Sequence, residues 1–326
     1  MKHFFIINPS AGKVHEGNCR AGIEKVCKER GLVYEIGKTS GRGSILKLVK
    51  DAVSRGFDVI YPIGGDGTIN EAANALLRHI ESTGNPENVM LAPVAAGTGN
   101  DFVRSLDNSS VYADFTKRVK KSDAVAFKKD KFTGNEWAEY IGAVIDGKEC
   151  LVDCAKANDK FFINIASLGI DACVVKNAVA FKKSKLCPDK FAYTASVVKT
   201  FVKYKPFVFE ISIDGGEPVT GEYPLAAVAN GKYYGGGIMP VPSASLKNGR
   251  LDVCIAKKVK KIQVIDFFPK YAKGKHTNLP IAQFAECKEI TIKSPETIAL
   301  NVDGELYDVD SVVFKVQDFK LPIKEL

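Results

Sequence analysis

The sequence predicts an α/β N-terminal domain with a parallel sheet, followed by a β-rich, sandwich-like second domain. Two patterns carry this prediction. In the N-terminal part, short apolar segments alternate with amphipathic segments of helical periodicity. In the rest of the chain, apolar and polar residues alternate with the period of a strand. The change of pattern predicts two domains, residues 1–128 and 129–326, with the last strands as candidates to return to the first domain.

The N-terminal domain is predicted to alternate strands and helices along the chain. Strands are expected at residues 4–7, 32–36, 58–63 and 89–94. Helices are expected over residues 15–30, from Ser44 to Gly56, and after a capping box of Thr68 and Glu71. Because parallel strands need crossover connections, this order favours a parallel sheet. Pro62 cannot donate a ladder hydrogen bond, so we expect it near the end of its strand.

The second domain is predicted mainly from segments with a period of two residues. Candidate strands cover residues 207–213, 225–229, 251–256, 289–292, 298–302 and 311–316. Turn-forming pairs separate several of them: Asp214-Gly215, Asn230-Gly231 and Asn248-Gly249. One helical stretch, over residues 190–204, is expected to interrupt the strands.

Composition narrows the class of protein. The 326 residues are 45% hydrophobic and carry a formal net charge of +8. No apolar run is long enough to span a bilayer and the N-terminus has no signal cleavage site, so we expect a cytoplasmic protein. The eight cysteines include no CxxC pair, which favours reduced thiols over a zinc site or disulfides. The basic excess favours an anionic partner, but no nucleic-acid-binding module accompanies it, so no nucleic acid is expected.

Four small, polar segments follow the predicted strands of the first domain. They are NPSAGK (8–13), GKTSGRG (37–43), GGDGT (64–68) and AAGTGND (95–101). Ligands of parallel sheets bind beyond the carboxyl ends of the strands, where these segments lie. Glycine lets the backbone approach a ligand, and free N–H groups then bind phosphate oxygens. A single segment of this kind is more typical of a tight turn, but four at one sheet edge predict a nucleotide or phosphate site. No Walker A or dinucleotide-binding fingerprint occurs.

The segments IINPSAGK, IGGDGTINEAANAL and PVAAGTGNDFVRSL resemble, in this order, the N-terminal motifs of the diacylglycerol kinase catalytic family. That family includes bacterial diacylglycerol and YegS-like lipid kinases and the sphingosine and ceramide kinases. The resemblance continues through NIASLGIDACV, YKPF, VANGKYYGGGIMPVPSASLKNGRLDV and NVDGE. It implies a fold like that of NAD and diacylglycerol kinases, and transfer of the γ-phosphoryl group of ATP, with Mg²⁺, to a lipid hydroxyl.

The resemblance also implies positions for the site. ATP is expected in a cleft between the domains. The family's nucleotide-binding positions fall on Asn8, Pro9, Ser10, Ala11, Gly12, Thr39, Gly64, Gly65, Asp66, Gly67, Thr68, Ile69, Asn70 and Thr98. Because GGDGT faces the phosphates in that family, Asp66 is expected near magnesium or the transferring group.

The family's proposed general base lies in a DGE segment, here residues 303–305. Glu305 is the first candidate for proton acceptor, Asp303 is its rival or helper, and Asp66 is the third candidate. Asp303-Gly304 also suits an ordinary hairpin turn, and both interpretations can hold because a turn can present a carboxylate. Some members bind a structural metal after GGGM, but Asn248 replaces the acid here, so that site is not expected.

Diacylglycerol is the acceptor predicted first. The alternatives are a kinase for another lipid alcohol such as a sphingoid base or phosphatidylglycerol, a NAD kinase, and a non-catalytic lipid- or nucleotide-binding protein. GTGND after GGDGTINE argues against NAD kinase, and intact GGDGT and DGE segments argue against a non-catalytic protein.

A lipid acceptor requires contact with a membrane surface, so a peripheral position at the inner membrane face is expected. Lys182, Lys183 and Lys185 precede an aromatic stretch that either binds anionic lipid or forms a core helix. Its aromatic residues are Phe191, Tyr193, Phe201 and Tyr204. A homodimer is a further expectation, because exposed strand edges favour pairing.

Overall fold

The computed structural model describes residues 1–12, 14–84, 89–107, 112, 114–115, 132–183, 206–258 and 261–326. The chain divides into two compact units: Met1–Asp153 with Asp318–Leu326, and Cys154–Gln317. The helix predicted over residues 190–204 lies outside the described residues. So do the side chains of the basic and aromatic region between Lys182 and Tyr204.

The first unit is a mostly parallel sheet with helices connecting its strands. Its strands are β1 (Lys2–Ile7), β2 (Val33–Lys38), β3 (Val59–Gly64), β4 (Met90–Leu91), β5 (Val94–Ala95), β6 (Lys148–Val152) and β17 (Leu321–Glu325). Its helices are α1 (Glu16–Glu29), α2 (Ser44–Ser54), α3 (Asp66–Thr83), α4 (Asp101–Arg104) and α5 (Gly134–Ile145). The strand order is β2-β1-β3-β4-β17-β6, and β5 also pairs with β3. Every pair described in this sheet is parallel except β17 with β6.

The start of α3 differs from the sequence-based expectation. The helix begins at Asp66 with Gly65 as its N-cap, and no described side chain caps it. The predicted capping box of Thr68 and Glu71 is therefore wrong. Thr68 lies inside the first turn, where its hydroxyl accepts a hydrogen bond from Asn8 Nδ2 at 2.8 Å. The Thr68 side chain therefore does not cap the helix but connects it to the segment after β1.

Strand β3 contains Pro62 in its interior rather than near its end. Ile60 of this strand pairs with β4, and Ile63 pairs with β5. The missing N–H of Pro62 therefore falls opposite the break between these two short strands, so that no ladder hydrogen bond is lost. The same break explains why the single strand predicted over residues 89–94 is two strands.

Helix α5 and the β6–β17 pair extend the first unit past the predicted boundary at residue 128. Thr133 and Glu136 form a capping box that starts α5. The helix packs closely on α1, since a Cβ on Gly22 would lie only 2.4 Å from Trp137 Cβ. Strand β17 pairs with β4 on one side and β6 on the other, so the end of the described chain returns to the first sheet.

The second unit is an antiparallel sheet. Its strands are β7 (Ala155–Ala157), β8 (Lys160–Phe162), β9 (Ile165–Gly169), β10 (Phe207–Ile213), β11 (Val219–Tyr223), β12 (Leu225–Ala229), β13 (Leu251–Ala256), β14 (Ala282–Cys287), β15 (Glu289–Val302) and β16 (Glu305–Val316). Its helices are α6 (Ile170–Lys183) and α7 (Lys261–Ala272). The order is β14-β13-β12-β9-β15-β16-β7-β8, with β10 joining β15 to β11. The predicted fold class, a parallel α/β domain plus a β-rich domain, is confirmed.

The long hairpin of β15 and β16 presents the DGE segment. The two strands predicted at 289–292 and 298–302 form one strand, with an irregularity between Lys293 and Ile298. Val302 pairs with Glu305, so Asp303 and Gly304 are the two turn residues. Both have positive φ, 47° and 92°, as a type I′ hairpin turn requires. The hairpin predicted for Asp303-Gly304 is therefore present.

Candidate active site

A cavity of about 410 Å³ lies at the carboxyl ends of β1, β3 and β5 in the first unit. Nine of the predicted nucleotide-binding residues line it: Asn8, Ser10, Ala11, Gly12, Gly65, Asp66, Gly67, Thr68 and Thr98. Its volume is within the range of small-molecule sites, roughly 300–1,000 Å³. Three of the four glycine-rich segments therefore meet at one cavity.

Asn8 connects the loops around this cavity. Its Oδ1 accepts hydrogen bonds from Ser10 N at 3.0 Å and Thr39 Oγ1 at 3.3 Å. Its Nδ2 donates to Thr68 Oγ1, and its backbone N donates to Ile63 O at 3.0 Å. Thr39 is not among the lining residues and supports the site through Asn8. One half-buried amide thereby fixes the segments after β1, β2 and β3 relative to each other.

Asp66 holds the GGDG segment to the segment after β5. Its Oδ2 accepts the N–H of Asn100 at 2.7 Å, and its Oδ1 accepts the N–H of Phe102 at 3.2 Å. Asn100 in turn accepts the N–H of Gly97 through Oδ1 at 2.9 Å. Both oxygens of Asp66 therefore engage backbone donors at the start of α4. This arrangement suits a residue that organises the loops around the cavity better than one that removes a proton.

Glycine is required where these two loops touch. A Cβ on Gly97 would lie 2.5 Å from Gly65 Cα, and a Cβ on Gly64 would lie 2.4 Å from Thr68 Oγ1. Gly12 and Gly67 are different, because no described atom lies within 4 Å of a Cβ built on them. Both residues line the cavity, so their missing side chains leave it open to a ligand.

The N-terminus of α3 gives the cavity its electrostatic character. The first N–H groups of a helix have no partner within the helix, and no described side chain caps those of α3. Aligned peptide dipoles place partial positive charge at the same end. Gly65, Asp66 and Gly67 lie at this terminus and line the cavity. Backbone N–H groups, a helix N-terminus and open glycine positions are the features from which phosphate-binding sites are commonly built.

Four other predicted positions are not among the lining residues. Pro9, Gly64, Ile69 and Asn70 stand beside lining residues in sequence, and Ile69 is fully buried in the core. Sequence reasoning missed Gly97, Gly99 and Glu71, which do line the cavity. Both glycines belong to AAGTGND, one of the four segments predicted to bind a ligand, so the sequence does carry a signal for them. The T-x-x-E spacing predicts a capping role for Glu71, but its Oε1 is buried without a hydrogen-bond partner among the described residues.

The DGE turn belongs to the second unit, where Asp303 makes most of its contacts. Its Oδ2 accepts the N–H of Ile163 at 2.8 Å, and its Oδ1 accepts those of Asn164 at 3.2 Å and Ile165 at 2.8 Å. A carboxylate that gathers three successive N–H groups anchors the turn to the segment before β9. Glu305, by contrast, is exposed, and its Oε2 accepts a hydrogen bond from Tyr307 Oη at 3.0 Å.

Two asparagines extend this anchorage to the segment after β12. Asn164 Nδ2 donates to the carbonyl of Tyr233 at 2.5 Å, and Asn230 Nδ2 donates to the carbonyl of Ile163 at 2.8 Å. The carbonyl of Asn164 accepts the N–H groups of Asn230 and Gly231. The segments NIASLG, VANGKYY and NVDGE, which are distant in sequence, therefore meet at the DGE turn.

No dedicated metal centre is found in the part of the chain that the structure describes. No group of three or more His, Cys, Asp or Glu side chains there is arranged to hold a metal ion. Asn248 Oδ1 accepts the N–H of Arg250 at 3.1 Å, as in an ordinary turn.

Two family models match the sequence of this chain. The diacylglycerol kinase catalytic domain matches residues 2–128, and the YegS C-terminal NAD kinase beta sandwich-like domain matches residues 164–323. The chain thus combines a diacylglycerol kinase catalytic domain with a YegS C-terminal domain, the two parts of a lipid kinase. This lipid kinase is 26% identical to the diacylglycerol kinase of Bacillus subtilis over 300 residues, which cover 92% of the chain and 88% of that protein.

A second relative is similar in sequence, and a solved structure is similar in fold. The lipid kinase is 25% identical to the diacylglycerol kinase of Mycobacterium tuberculosis over 263 residues, 79% of this chain and 74% of that protein. A crystal structure of a diacylglycerol kinase from Bacillus anthracis superposes with a TM-score of 0.68 at 20% identity. The superposition covers 100% of this chain and 97% of the other, which shows the same fold. None of the helices that the structure describes is long and apolar enough to cross a membrane.

Proposed function

We propose that this lipid kinase transfers the γ-phosphoryl group of ATP to the hydroxyl of diacylglycerol. The observation that carries the nucleotide part is the cavity formed by Asn8, the GGDG segment and the N-terminus of α3. The diacylglycerol part is supported by the names of the relatives from B. subtilis and M. tuberculosis. Another lipid alcohol is the alternative acceptor.

The first unit is proposed to bind the phosphates of ATP, which supplies the transferred group. Backbone N–H groups at Gly65, Asp66 and Gly67 would bind phosphate oxygens, because they lie at an uncapped helix N-terminus. Asn8 and Asp66 would keep the loops in place before the substrate arrives. Preorganised donors of this kind stabilise the charge that develops during phosphoryl transfer.

The cavity suits a magnesium ion that is coordinated mainly by the phosphates of the nucleotide. Mg²⁺ is commonly held by one or two carboxylates, substrate phosphates and water rather than by a complete protein cage. Two carboxylates, Asp66 and Glu71, line the cavity, and Oε1 of Glu71 has no described hydrogen-bond partner. Glu71, with Asp66 beside it, would hold the ion, whose chemistry is to neutralise phosphate charge.

The second unit is proposed to supply the proton acceptor through Glu305. Asp303 already accepts three backbone N–H groups, and Asp66 accepts two. Glu305 is exposed and accepts a hydroxyl hydrogen bond, so its carboxylate is accessible to a substrate hydroxyl. We therefore assign proton transfer to Glu305 and anchorage to Asp303.

The remaining parts of the proposal concern location and assembly. A lipid acceptor implies that the protein works from the cytoplasm at the inner membrane face. The basic and aromatic region between residues 182 and 204 is proposed as the membrane contact. A homodimer stays a prediction.

The function is tested by incubating the purified full-length protein with γ-labelled ATP, Mg²⁺ and a panel of acceptors in mixed micelles. The panel contains diacylglycerol, phosphatidylglycerol, sphingosine and NAD⁺. We expect the label in phosphatidic acid, and its loss when EDTA is added. Label in a different lipid would replace diacylglycerol as the acceptor but keep the lipid kinase. Label only in the dinucleotide, or in no acceptor, would overturn the proposal.

A further inference from the structure

The main chain of the DGE turn is held on two sides, but the side chain of Glu305 lies beyond these contacts. Asp303 accepts the N–H groups of the segment before β9, and the N–H of Gly304 donates to Asn301 Oδ1 at 3.0 Å. Glu305 pairs with Val302 through the strand ladder and is itself exposed. A glutamate at an exposed position can adopt many rotamers, so a fixed main chain does not by itself fix the carboxylate.

Tyr307 reaches the carboxylate of Glu305 from two residues further along β16. Side chains at positions i and i+2 of a strand point to the same face and stand about 6.6 Å apart, so only long side chains can meet there. Tyr307 Oη donates to Glu305 Oε2 at 3.0 Å. An ionised carboxylate accepts hydrogen bonds and donates none, so this contact suits Glu305 in the form that can take up a proton.

The ring of Tyr307 is itself held in place. It is half-buried and packs against the buried core cluster of the second unit. Its cross-strand partner on β15, Leu300, belongs to that cluster and is 2% exposed. Lys160 Nζ lies 5.6 Å from the centre of the ring, within the range of a cation–π contact. A tyrosine has two side-chain torsions, so a packed ring presents its hydroxyl at a defined place.

A hydrogen bond between neighbouring side chains on one strand face often serves the hairpin alone, but two features of this contact argue for a further role. It is made to the carboxylate that we assign to proton transfer. Its donor is anchored against the core, whereas its acceptor is an exposed and flexible side chain. Tyr307 therefore constrains Glu305 rather than the reverse. A general base must lie within hydrogen-bond reach of the proton it removes, so such a constraint raises the fraction of molecules that are ready to react.

We propose that Tyr307 is a positioning residue that holds the carboxylate of Glu305 in the orientation for proton transfer. In that step the O–H bond of the substrate breaks, its proton goes to an oxygen of Glu305, and its electron pair forms the new bond to the γ-phosphorus as ADP leaves. A carboxylate has about four acceptor positions, so a hydrogen bond from Tyr307 does not prevent this transfer. The catalytic consequence rests on the proposed function, whereas the constraint on Glu305 does not.

Tyr307→Phe in the full-length protein tests the proposal, because it removes the hydroxyl and keeps the ring with its packing. We expect kcat to fall about three- to tenfold, the effect of losing one hydrogen bond, with the KM for ATP and the melting temperature unchanged. Tyr223→Phe is the matched control. The Tyr223 ring packs against the same core cluster, and its hydroxyl makes no hydrogen bond to another residue that the structure describes. This variant should keep the kcat of the wild type.

The same substitution in a Glu305→Gln background shows whether Tyr307 acts through the carboxylate. We expect an effect on kcat of less than about twofold there, because no proton acceptor is left to orient. An equal fall of kcat in both backgrounds would overturn the proposal. So would an unchanged kcat in Tyr307→Phe, or a kcat that falls only together with the melting temperature.

The constraint is also measured without substrate, from the ¹³C resonance of the Glu305 side-chain carboxyl in the labelled full chain. We expect Tyr307→Phe to shift this resonance and Tyr223→Phe to leave it unchanged. An unshifted resonance in Tyr307→Phe would show that the contact is not made in solution and would contradict the proposal. If the wild type phosphorylates no lipid but the resonance shifts, the proposed function fails and the constraint on Glu305 stands.

Discussion

The two units of this lipid kinase hold their functional groups by different physical means. In the first unit the cavity is lined by glycine backbone and a helix N-terminus, and Asn8 and Asp66 join the loops that carry them. In the second unit a two-residue turn is held by buried side chains, with Asp303 on one side and Asn301 on the other. The first arrangement depends on close approach of main chains, and the second depends on charge and hydrogen-bond direction.

The difference teaches where each unit is vulnerable. A backbone-lined cavity has no side chain to remove, so added volume at a loop contact should damage it most. A turn held by side chains depends on the hydrogen-bonding groups of those side chains and not on their volume. A change from carboxylate to amide, which keeps the volume but replaces an acceptor by a donor, should therefore damage it most. Substitutions in the two units should therefore differ in what they damage.

Glu305→Gln should lower kcat by about 10²–10⁴-fold, the usual contribution of a general base. The amide keeps the size of the side chain but cannot accept the substrate proton. Because Glu305 is exposed and in the second unit, the KM for ATP and the melting temperature should not change. Steady-state kinetics with the best lipid of the panel measure the effect. Glu296→Gln, at an exposed position of the paired strand β15, is the control and should leave kcat unchanged.

Asp303→Asn sharpens the same comparison. Asparagine tolerates the left-handed φ of 47°, so the turn itself should persist. The amide nitrogen would face N–H groups that the carboxylate now accepts, which should destabilise the fold by about 1.5–3 kcal/mol. Kcat and the free energy of unfolding should therefore fall together. A fall in kcat with unchanged unfolding would instead identify Asp303 as the proton acceptor.

Asp171 should make the stability of the protein depend on pH. Burial, the largest cause, raises its pKa from 3.8 to about 6, so the folded state binds a proton more tightly than the unfolded state. The resulting stabilisation is complete below the unfolded pKa and is lost as pH rises through the folded pKa. Relative to Asp171→Asn, the wild type should lose about 2.5 kcal/mol of unfolding free energy between pH 4 and pH 7. Urea unfolding of both proteins measures the difference, and parallel pH profiles would contradict it.

Much of the fold could be predicted because its patterns are local. Strands β10, β12 and β13 have the predicted bounds, since a period of two residues and flanking turns define them. Helix α5 is not predicted from the sequence. Its aromatic residues pack on α1, and this contact joins segments that are distant in sequence, so no local pattern reveals it. The position of β17 in the first sheet is likewise set by its pairing with β4 and β6, which no local sequence pattern predicts.

The candidate site was predictable in type but less so in detail. Glycine-rich segments after parallel strands indicated a phosphate site, because the chemistry of such loops is carried by their composition. The composition does not show which role each carboxylate has. Asp66 and Asp303 bind backbone N–H groups, and Asp171 accepts the hydroxyl of Tyr234, through contacts that arise only after folding. The residue types predict that acids matter there, and the geometry distinguishes the carboxylates that bind backbone N–H groups from the exposed carboxylate of Glu305.

Gly97→Ala tests the backbone side of the comparison and should have the smallest effect of the series. Its Cβ would lie 2.5 Å from Gly65 Cα, so the two loops must separate, at a cost of about 1–3 kcal/mol in ATP binding and stability together. Gly17→Ala is the control, because its nearest atom would lie at 3.4 Å in an ordinary contact near the start of α1. Calorimetric ATP binding and urea unfolding measure both quantities. Weaker ATP binding in Gly97→Ala alone supports a site that depends on main-chain approach. If stability falls but ATP affinity does not, the contact of Gly97 with Gly65 serves the fold only, and the contrast between the units does not extend to their function.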